Sequence, residues 1–438
     1  MLEWLQLRNV GPAAEMKLEL GSRLNLITGD NGLGKTLLLD AAWWALTGVW
    51  PLTWGGKGVV PEKEGAQIAW SASGRRAAVT YDFRNSRWGG RPIRPGDAYL
   101  APTPDEEAEM EEREMQRPLV IYLRVDGGIS VRDPLRAGEE FRWPGQAPWG
   151  GNNTYQFQER NIWEGLEQGT DEPSRVCEGL VRDVSRWAAQ PGNADFDRLA
   201  SLVEQLSSEE QFRLTRRVQR VFVDDARDYP VVTGPAGDLP VAHAPASLRR
   251  ILGLAYLVVW AWREHCIVAD LKKRSPNSSL VFLIDEIESH LHPKWQRTIL
   301  PSLLRALNQD VKLQVVGTTH SPMVLASVEP FFDVATDKLF LLDLTDHVVA
   351  VHEKPWVMQG DIINWLVSDT FGLRQARSVE AEKAVEAAES WMRGDAGSLP
   401  PALATKEAIH AELQRVLAGH DPFWPRWIVK LEKAAGQP

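Results

Sequence analysis

Residues 29–36 read Gly29-Asp30-Asn31-Gly32-Leu33-Gly34-Lys35-Thr36, between an apolar run (Leu24, Leu26, Ile27) and a helix-forming segment from Leu37 to Leu46. This order predicts a strand, a glycine loop and a helix. Such a loop is a phosphate cradle. Its glycines let successive backbone N–H groups converge on an anion, and the helix N-terminus adds its dipole. Lys35 then reaches the β- and γ-phosphates of a nucleotide, and the Thr36 hydroxyl is placed to bind Mg²⁺.

The 438-residue chain is long enough for a large core and two or three structural units. A hydrophobic content of 44% and a charged content of 25% are those of a soluble globular protein. The net charge of −10 excludes a surface that is basic overall, so nucleic-acid contact has to be local or follow assembly. Cys177 and Cys266 lie far apart without metal-ligand spacing, which fits a reduced, cytoplasmic protein. Residues 1–8 lack the apolar run of a signal peptide. The longest apolar stretch, Ile251 to Trp262, is too short to span a bilayer and reads as a buried helix, so no membrane partner is expected.

In chain order, residues 2–8 alternate as an edge strand does, and Met16 to Leu20 give a second strand. Gln67 to Phe83 alternate around Gly74 and predict a hairpin. Between Ser73 and Gly96 six arginines (75, 76, 84, 87, 91, 94) face one acid, Asp82, with Tyr81, Phe83 and Trp88 interleaved. Arginine with aromatics suits a nucleic-acid backbone, but seven acids follow from Asp105 to Glu114, and mutual neutralisation or two solvated faces is the preferred reading. Val120 to Val131 reads as a strand pair, and Gly145 to Asn153 as a loop. Helices are expected over about 159–190 and 195–220, broken by Pro173 and Pro191. Asp195-Phe-Asp197 reads as a helix cap rather than a metal site.

Two further stretches carry chemistry. In Leu280-Val-Phe-Leu-Ile-Asp285-Glu286, the apolar residues 281–284 mark a strand buried on both faces. Acids at its carboxyl end lie where an open α/β sheet presents its ligand site. There Asp285 is suited to hold Mg²⁺ through water, and Glu286 to orient or deprotonate the attacking water. The run Lys312-Leu-Gln-Val-Val-Gly-Thr-Thr-His320-Ser-Pro322 ends another strand, which brings His320 to the same edge and within reach of a γ-phosphate. Glu288, His290 and His292 lack the spacing of a metal cluster.

The three stretches together resemble the Walker A, Walker B with D-loop, and switch-histidine motifs of ABC-type ATPases. The likeness is to the RecF/SMC/OLD-like (AAA_21-type) group, which includes ATPases of bacterial anti-phage systems such as Septu. It covers residues 1–350. It implies an α/β ABC-type P-loop ATPase head with a mixed sheet core, an inserted helical region and a C-terminal helical extension. Site roles follow position by position. Glu286, His320 and Lys35 are the implied catalytic set. Arg8, Asn9, Asn31, Gly32, Gly34, Lys35, Thr36, Leu37 and Ser247 are the implied nucleotide contacts, and Thr36 and Asp285 the Mg²⁺ ligands. ATP and Mg²⁺ are the implied substrate and cofactor.

One segment departs from the pattern. The family's signature has Ser-Gly before a helix, but this chain has Pro240-Val-Ala-His-Ala-Pro-Ala-Ser-Leu-Arg-Arg250. Ser247 and a helix N-terminus remain to meet a γ-phosphate across a dimer, whereas Pro245 removes a donor and no glycine allows close approach. A Q-loop glutamine is not assigned; Gln67, Gln156 and Gln158 are the candidates.

The expected organisation is residues 1–100 and 231–354 as the two parts of the head, 101–230 as an inserted strand/helical lobe, and 355–438 as a helical extension. Helices are expected at 361–371, 378–392 and 405–418, and the Trp-rich stretch 421–427 either docks a partner or packs back on the head. No Asp-x-Asp follows His320, so a Toprim nuclease domain is not expected and cutting of nucleic acid falls to a partner. The leading reading is a cytoplasmic ATPase that forms a head-to-tail homodimer or higher oligomer and controls a nuclease or other effector in genome defence. The alternatives are a RecF/SMC-like repair ATPase acting directly on DNA, and a nucleotide-locked sensor with little turnover.

Overall fold

Three strands open the chain, β1 (Leu2–Arg8), β2 (Glu15–Glu19) and β3 (Leu24–Gly29), and they enter two different sheets. In β1 the residues Leu2, Leu5 and Leu7 are buried and Glu3 and Arg8 exposed, the period-2 pattern of a strand with one dry face. That alternation does not distinguish an edge from an interior position. β1 pairs with β2 on one side and β4 (Gln67–Ala72) on the other, so the expectation of an edge strand is corrected. With β5 (Arg75–Asp82) and β6 (Arg87–Trp88) these make an antiparallel five-stranded sheet, β2-β1-β4-β5-β6, containing the expected hairpin around Gly74.

The computed structural model describes residues 1–51, 58–84, 86–89, 117–136, 154–168, 174–207, 211–307, 311–345, 348–395, 397 and 399–435. Arg91, Arg94, the acidic run 105–114, the loop 145–153 and Pro173 lie outside these. Two units are formed, residues 1–358 and 359–438.

The second sheet of the first unit has eight described strands. β7 (Leu119–Leu123), β8 (Ile129–Arg132) and β9 (Thr154–Phe157) form one flank, β15 (Ser279–Ile284) and β16 (Lys312–Thr318) the middle, and β17 (Lys338–Thr345) and β18 (Val348–Lys354) the other flank. The order is β18-β17-β3-β16-β15-β7-β8-β9, parallel from β17 to β7 and antiparallel outside. Val281 to Ile284 are all buried, as a central parallel strand requires. Helix α1 (Lys35–Thr47) lies in one apolar core with both sheets. Trp43 and Trp44 share that core with Leu5, Leu7 and Ile68 of one sheet and Val281, Val316 and Phe340 of the other. Here, then, is the α/β mixed-sheet head that the motifs predicted.

Within the inserted region the two long helices expected over 159–190 and 195–220 are corrected, because each is shorter and is followed by strands. Helix α2 (Glu159–Glu164) stops at Gly165 (φ +102°), the hairpin β10 (Leu166–Gln168) and β11 (Ser174–Cys177) follows, and α3 (Leu180–Ala188) begins after Gly179 (φ +88°). A Cβ on Gly179 would lie 2.4 Å from the Gly165 nitrogen, so the two chain reversals touch and only glycine fits. Helix α4 (Ala194–Leu206) is capped by Asn193, whose side chain accepts from the Phe196 N–H. Asp195 and Asp197 lie in its first turn and pair with Arg263 and Arg216, so the cap assigned to them is corrected. Residues expected to continue that helix form β12 (Arg213–Arg220), followed by β13 (Asp228–Gly234) and β14 (Gly237–Pro240). Pairing with β13 overrides the helix-like Leu, Gln and Arg composition.

Helix α5 (Ala246–Leu271) is longer than the apolar stretch inside it. By length and composition it is able to cross a membrane, but 67% of its most apolar window is buried within the protein, as in a core helix. Helices α6 (Pro293–Gln296), α7 (Ile299–Leu307) and α8 (Pro322–Val328) complete this unit.

The second unit has helices α9 (Ile362–Val367), α10 (Val379–Arg393), α11 (Lys406–Val416) and α12 (Trp424–Ala435). Phe423 and Trp427 are buried with Ala384, Ala388, Ile409 and Leu413 of α10 and α11. These two tail aromatics fill their own unit's core, so they are not the exposed docking surface expected of them. The indole of Trp427 also donates to His410 Nδ1 at 3.0 Å.

Candidate functional site

Parallel pairing aligns the carboxyl ends of β3, β16 and β15, with β16 between the other two. Thr318 faces Ile27 in register, and Gly317 faces both Leu26 and Ile284. The three stretches singled out in the sequence therefore meet at one sheet edge, where open α/β sheets bind ligands.

Gly29 leaves β3 with φ +133°, and a Cβ there would lie 2.1 Å from the Leu342 carbonyl oxygen of β17. Gly34 (φ +95°) precedes α1, with the Pro12 ring 3.1 Å from where its Cβ would stand. Both positions demand glycine. Helix α1 has neither a side-chain cap nor an acid in its first turn, so its first N–H groups and positive dipole end are left for an external anion. The Lys35 ammonium donates to the carbonyls of Gly29 (2.9 Å) and Asp30 (2.6 Å). Burial pulls its pKa down, opposed by the fields of Asp285, Asp30, Glu286 and Glu288. Below the loop, buried Asp40 of α1 accepts from the Tyr122 hydroxyl at 2.8 Å. Burial first, then the charges of Asp40 and Asp285, hold that phenol well above its ordinary pKa.

The acids continue the same network. Thr36 Oγ1 donates to Asp285 Oδ2 at 2.8 Å, and Thr318 Oγ1 donates to Asp285 Oδ1 at 2.7 Å. The Glu286 N–H donates to Thr318 Oγ1 at 2.8 Å, and Glu286 has φ +48°, rare for a residue with a Cβ. The Glu288 carboxylate accepts from the His320 N–H (2.5 Å) and the Thr319 hydroxyl (2.7 Å), while Ser321 donates to Gln296 at 2.8 Å. The His320 backbone is thereby fixed to the turn that carries Glu286.

Lys35, Thr36, Asp285, Glu286 and His320 are thus brought together. Asn31 and Gly32 are exposed on the loop, nothing lies within 4 Å of a Cβ built on Gly32, and Leu37 is buried in α1. Arg8 and Asn9 take no part in these hydrogen bonds. Arg8 ends β1 3.9 Å from Glu15, and Asn9 donates to the Glu64 carbonyl at 3.1 Å. Their turn nonetheless packs on the loop, since Pro12 approaches Gly34 and Leu37 crowds Gly11. Ser247 is the second residue of α5, outside the network, and Pro245 stands at that helix's N-cap. Of the glutamine candidates, Gln67 lies on β4, Gln156 accepts weakly from Ser130 at 3.4 Å, and Gln158 is the N-cap of α2. Motif spacing points to no site role for Thr318 or Glu288; the bonds of Thr318 to Asp285 and Glu286, and of Glu288 to Thr319 and His320, arise because β16 lies beside β15.

The donor set, with two hydroxyl-bearing carboxylate contacts beside an uncapped helix and a lysine, fits a nucleoside triphosphate with Mg²⁺. The α/β fold and its glycine-loop site resemble those of ABC-type P-loop ATPase heads. Comparisons with known proteins give local similarities. Residues 5–93 match the family model "AAA domain", and residues 268–326 match "AAA domain, putative AbiEii toxin, Type IV TA system". The first match contains the phosphate loop, the second Asp285, Glu286 and His320. The chain is 30% identical over 119 residues to the "Retron Ec83 probable ATPase" of Escherichia coli, covering 25% of this chain and 20% of that protein. It is 31% identical over 102 residues to the "Septu protein PtuA" of Bacillus thuringiensis, covering 22% and 24%. The matches span under a quarter of each relative's length. A solved SMC head bound to the C-winged helix domain of ScpA aligns over 81% of this chain and 97% of that one, with 14% identity and a TM-score of 0.39.

Proposed function

We propose that this protein binds ATP with Mg²⁺, hydrolyses it, and uses the cycle to control a partner effector of nuclease type in anti-phage defence. One observation carries the ATPase part: the continuous hydrogen-bonded chain from Thr36 through Asp285 and Thr318 to Glu286 at the mouth of an uncapped glycine loop. Lys35 leaves the loop carbonyls to neutralise the β- and γ-phosphates, while the α1 N–H groups take their oxygens. Glu286 orients the attacking water and accepts its proton, and His320 addresses the γ-phosphate from the neighbouring strand end. Thr36 and Asp285 would hold Mg²⁺, which when bound would supply charge neutralisation on the phosphates.

The defence role is supported by the likeness to the retron and Septu proteins. In a head-to-tail homodimer Ser247 and the α5 N-terminus of one copy would face the nucleotide of the other. The test is phage challenge of cells carrying this gene with its genomic neighbours. Protection that is lost with Lys35→Ala supports the reading, and protection undiminished by Lys35→Ala overturns it.

A further inference from the structure

We propose that Thr318 is a positioning residue that fixes both acids of the site through a single hydroxyl. The inference rests on the ATP and Mg²⁺ reading above. Thr318 is fully buried at the end of β16, between the strands that deliver the phosphate loop and the acids. Its Oγ1 has one proton to give and gives it to Asp285 Oδ1 at 2.7 Å; it accepts the Glu286 N–H at 2.8 Å. Its backbone carbonyl accepts the Ile287 N–H at 3.0 Å. Three consecutive residues, 285–287, are therefore tied to one threonine.

Each tie has a consequence at the site. With Oδ1 engaged by Thr318, the Asp285 carboxylate presents Oδ2 to Thr36, 2.8 Å away, so the two groups suited to Mg²⁺ are pre-set against each other. The bond from the Glu286 N–H holds a left-handed backbone (φ +48°) at a residue with a Cβ, a conformation that persists only where the surroundings over-determine it. That backbone decides where the Glu286 carboxylate starts. Partners that orient a metal-holding carboxylate typically contribute roughly 10–100-fold to metal affinity or activity.

The alternative is that the hydroxyl only satisfies buried polar groups, in which case its loss lowers stability without touching the ligand. Nucleotide affinity measured with and without Mg²⁺ separates the two, using the full chain and a fluorescent ATP analogue. Thr318→Val keeps the side-chain shape and deletes both hydroxyl bonds. We expect it to bind Mg²⁺-free nucleotide as the wild type does and to lose roughly 10–100-fold of the gain that Mg²⁺ confers. Thr318→Ser should restore that gain. Should the valine protein not fold, Thr318→Cys, whose thiol is a weak donor of similar size, should show a partial loss. A full Mg²⁺-dependent gain in the valine protein, or in the cysteine protein if valine fails to fold, overturns the role of Thr318 alone. A wild type with no nucleotide affinity overturns the ATP reading, and this inference with it.

Discussion

Thr36 and Asp285 stand 249 residues apart in the chain, and the hydroxyl of one donates to the carboxylate of the other at 2.8 Å. Asp285 is almost fully buried, so its Oδ2 depends on that donor. Thr36→Val should therefore destabilise the nucleotide-free protein by about 1–3 kcal/mol, the usual penalty for stranding a buried acceptor. Urea unfolding checks this. An unchanged midpoint and slope would mean that water replaces the threonine without loss.

Lys35 gives a pH prediction. Its folded pKa is lowered by burial, so in the window between that value and the ordinary 10.5 the nucleotide-free protein binds fewer protons at this site than a free lysine does. A phosphate dianion favours the charged form and pulls the proton back. ATP binding in the alkaline range below 10.5 should thus take up a proton, and affinity should fall as pH rises through that window. Calorimetric titrations in buffers of different ionisation enthalpy read the uptake directly. No buffer dependence would mean that Lys35 is already fully charged.

On nucleic acid, the net charge of −10 and the arginine cluster pull in opposite directions. Arg76, Arg84 and Arg87 are exposed on the five-stranded sheet and its turn. The isolated protein should bind duplex DNA weakly near physiological salt and lose that affinity as salt rises. Replacing the three arginines with alanine should remove most of what remains. Tight binding insensitive to those changes would favour direct action on DNA over control of an effector.

Assembly is where the chain departs most from the pattern it resembles. With Pro245 at the α5 N-cap and no glycine before Ser247, a contact across a dimer loses one or two charge-assisted hydrogen bonds, each worth roughly 1.5–3 kcal/mol. Turnover by the isolated protein should be slow, and its oligomer should be held by protein contacts in the presence or absence of ATP. Sedimentation of Glu286→Gln protein that is monomeric alone and dimeric with ATP would contradict this.

Much of the site was legible in the sequence because its motifs are local. A glycine loop needs positive φ at fixed spacing, and a buried parallel strand reads as the unbroken apolar run 281–284. What could not be read was strand order. The link through Thr318 exists only because β16 lies between β3 and β15, and no spacing in the chain encodes that. Residues 213–220 misled for a related reason, since helix-like composition yields to pairing with a strand that comes later. Trp427 looked like a docking residue because its burial depends on α10 and α11, which period and composition do not bring together.

ATP hydrolysis by Glu286→Gln protein, measured beside nucleotide binding by the same preparation, tests the central claim most directly. The amide preserves shape and hydrogen-bonding reach but cannot take the proton of the attacking water. Binding should stay at the wild-type level while turnover falls by roughly 10²–10⁴-fold. Hydrolysis at the wild-type rate would contradict the role given to Glu286 and the catalytic reading of the site.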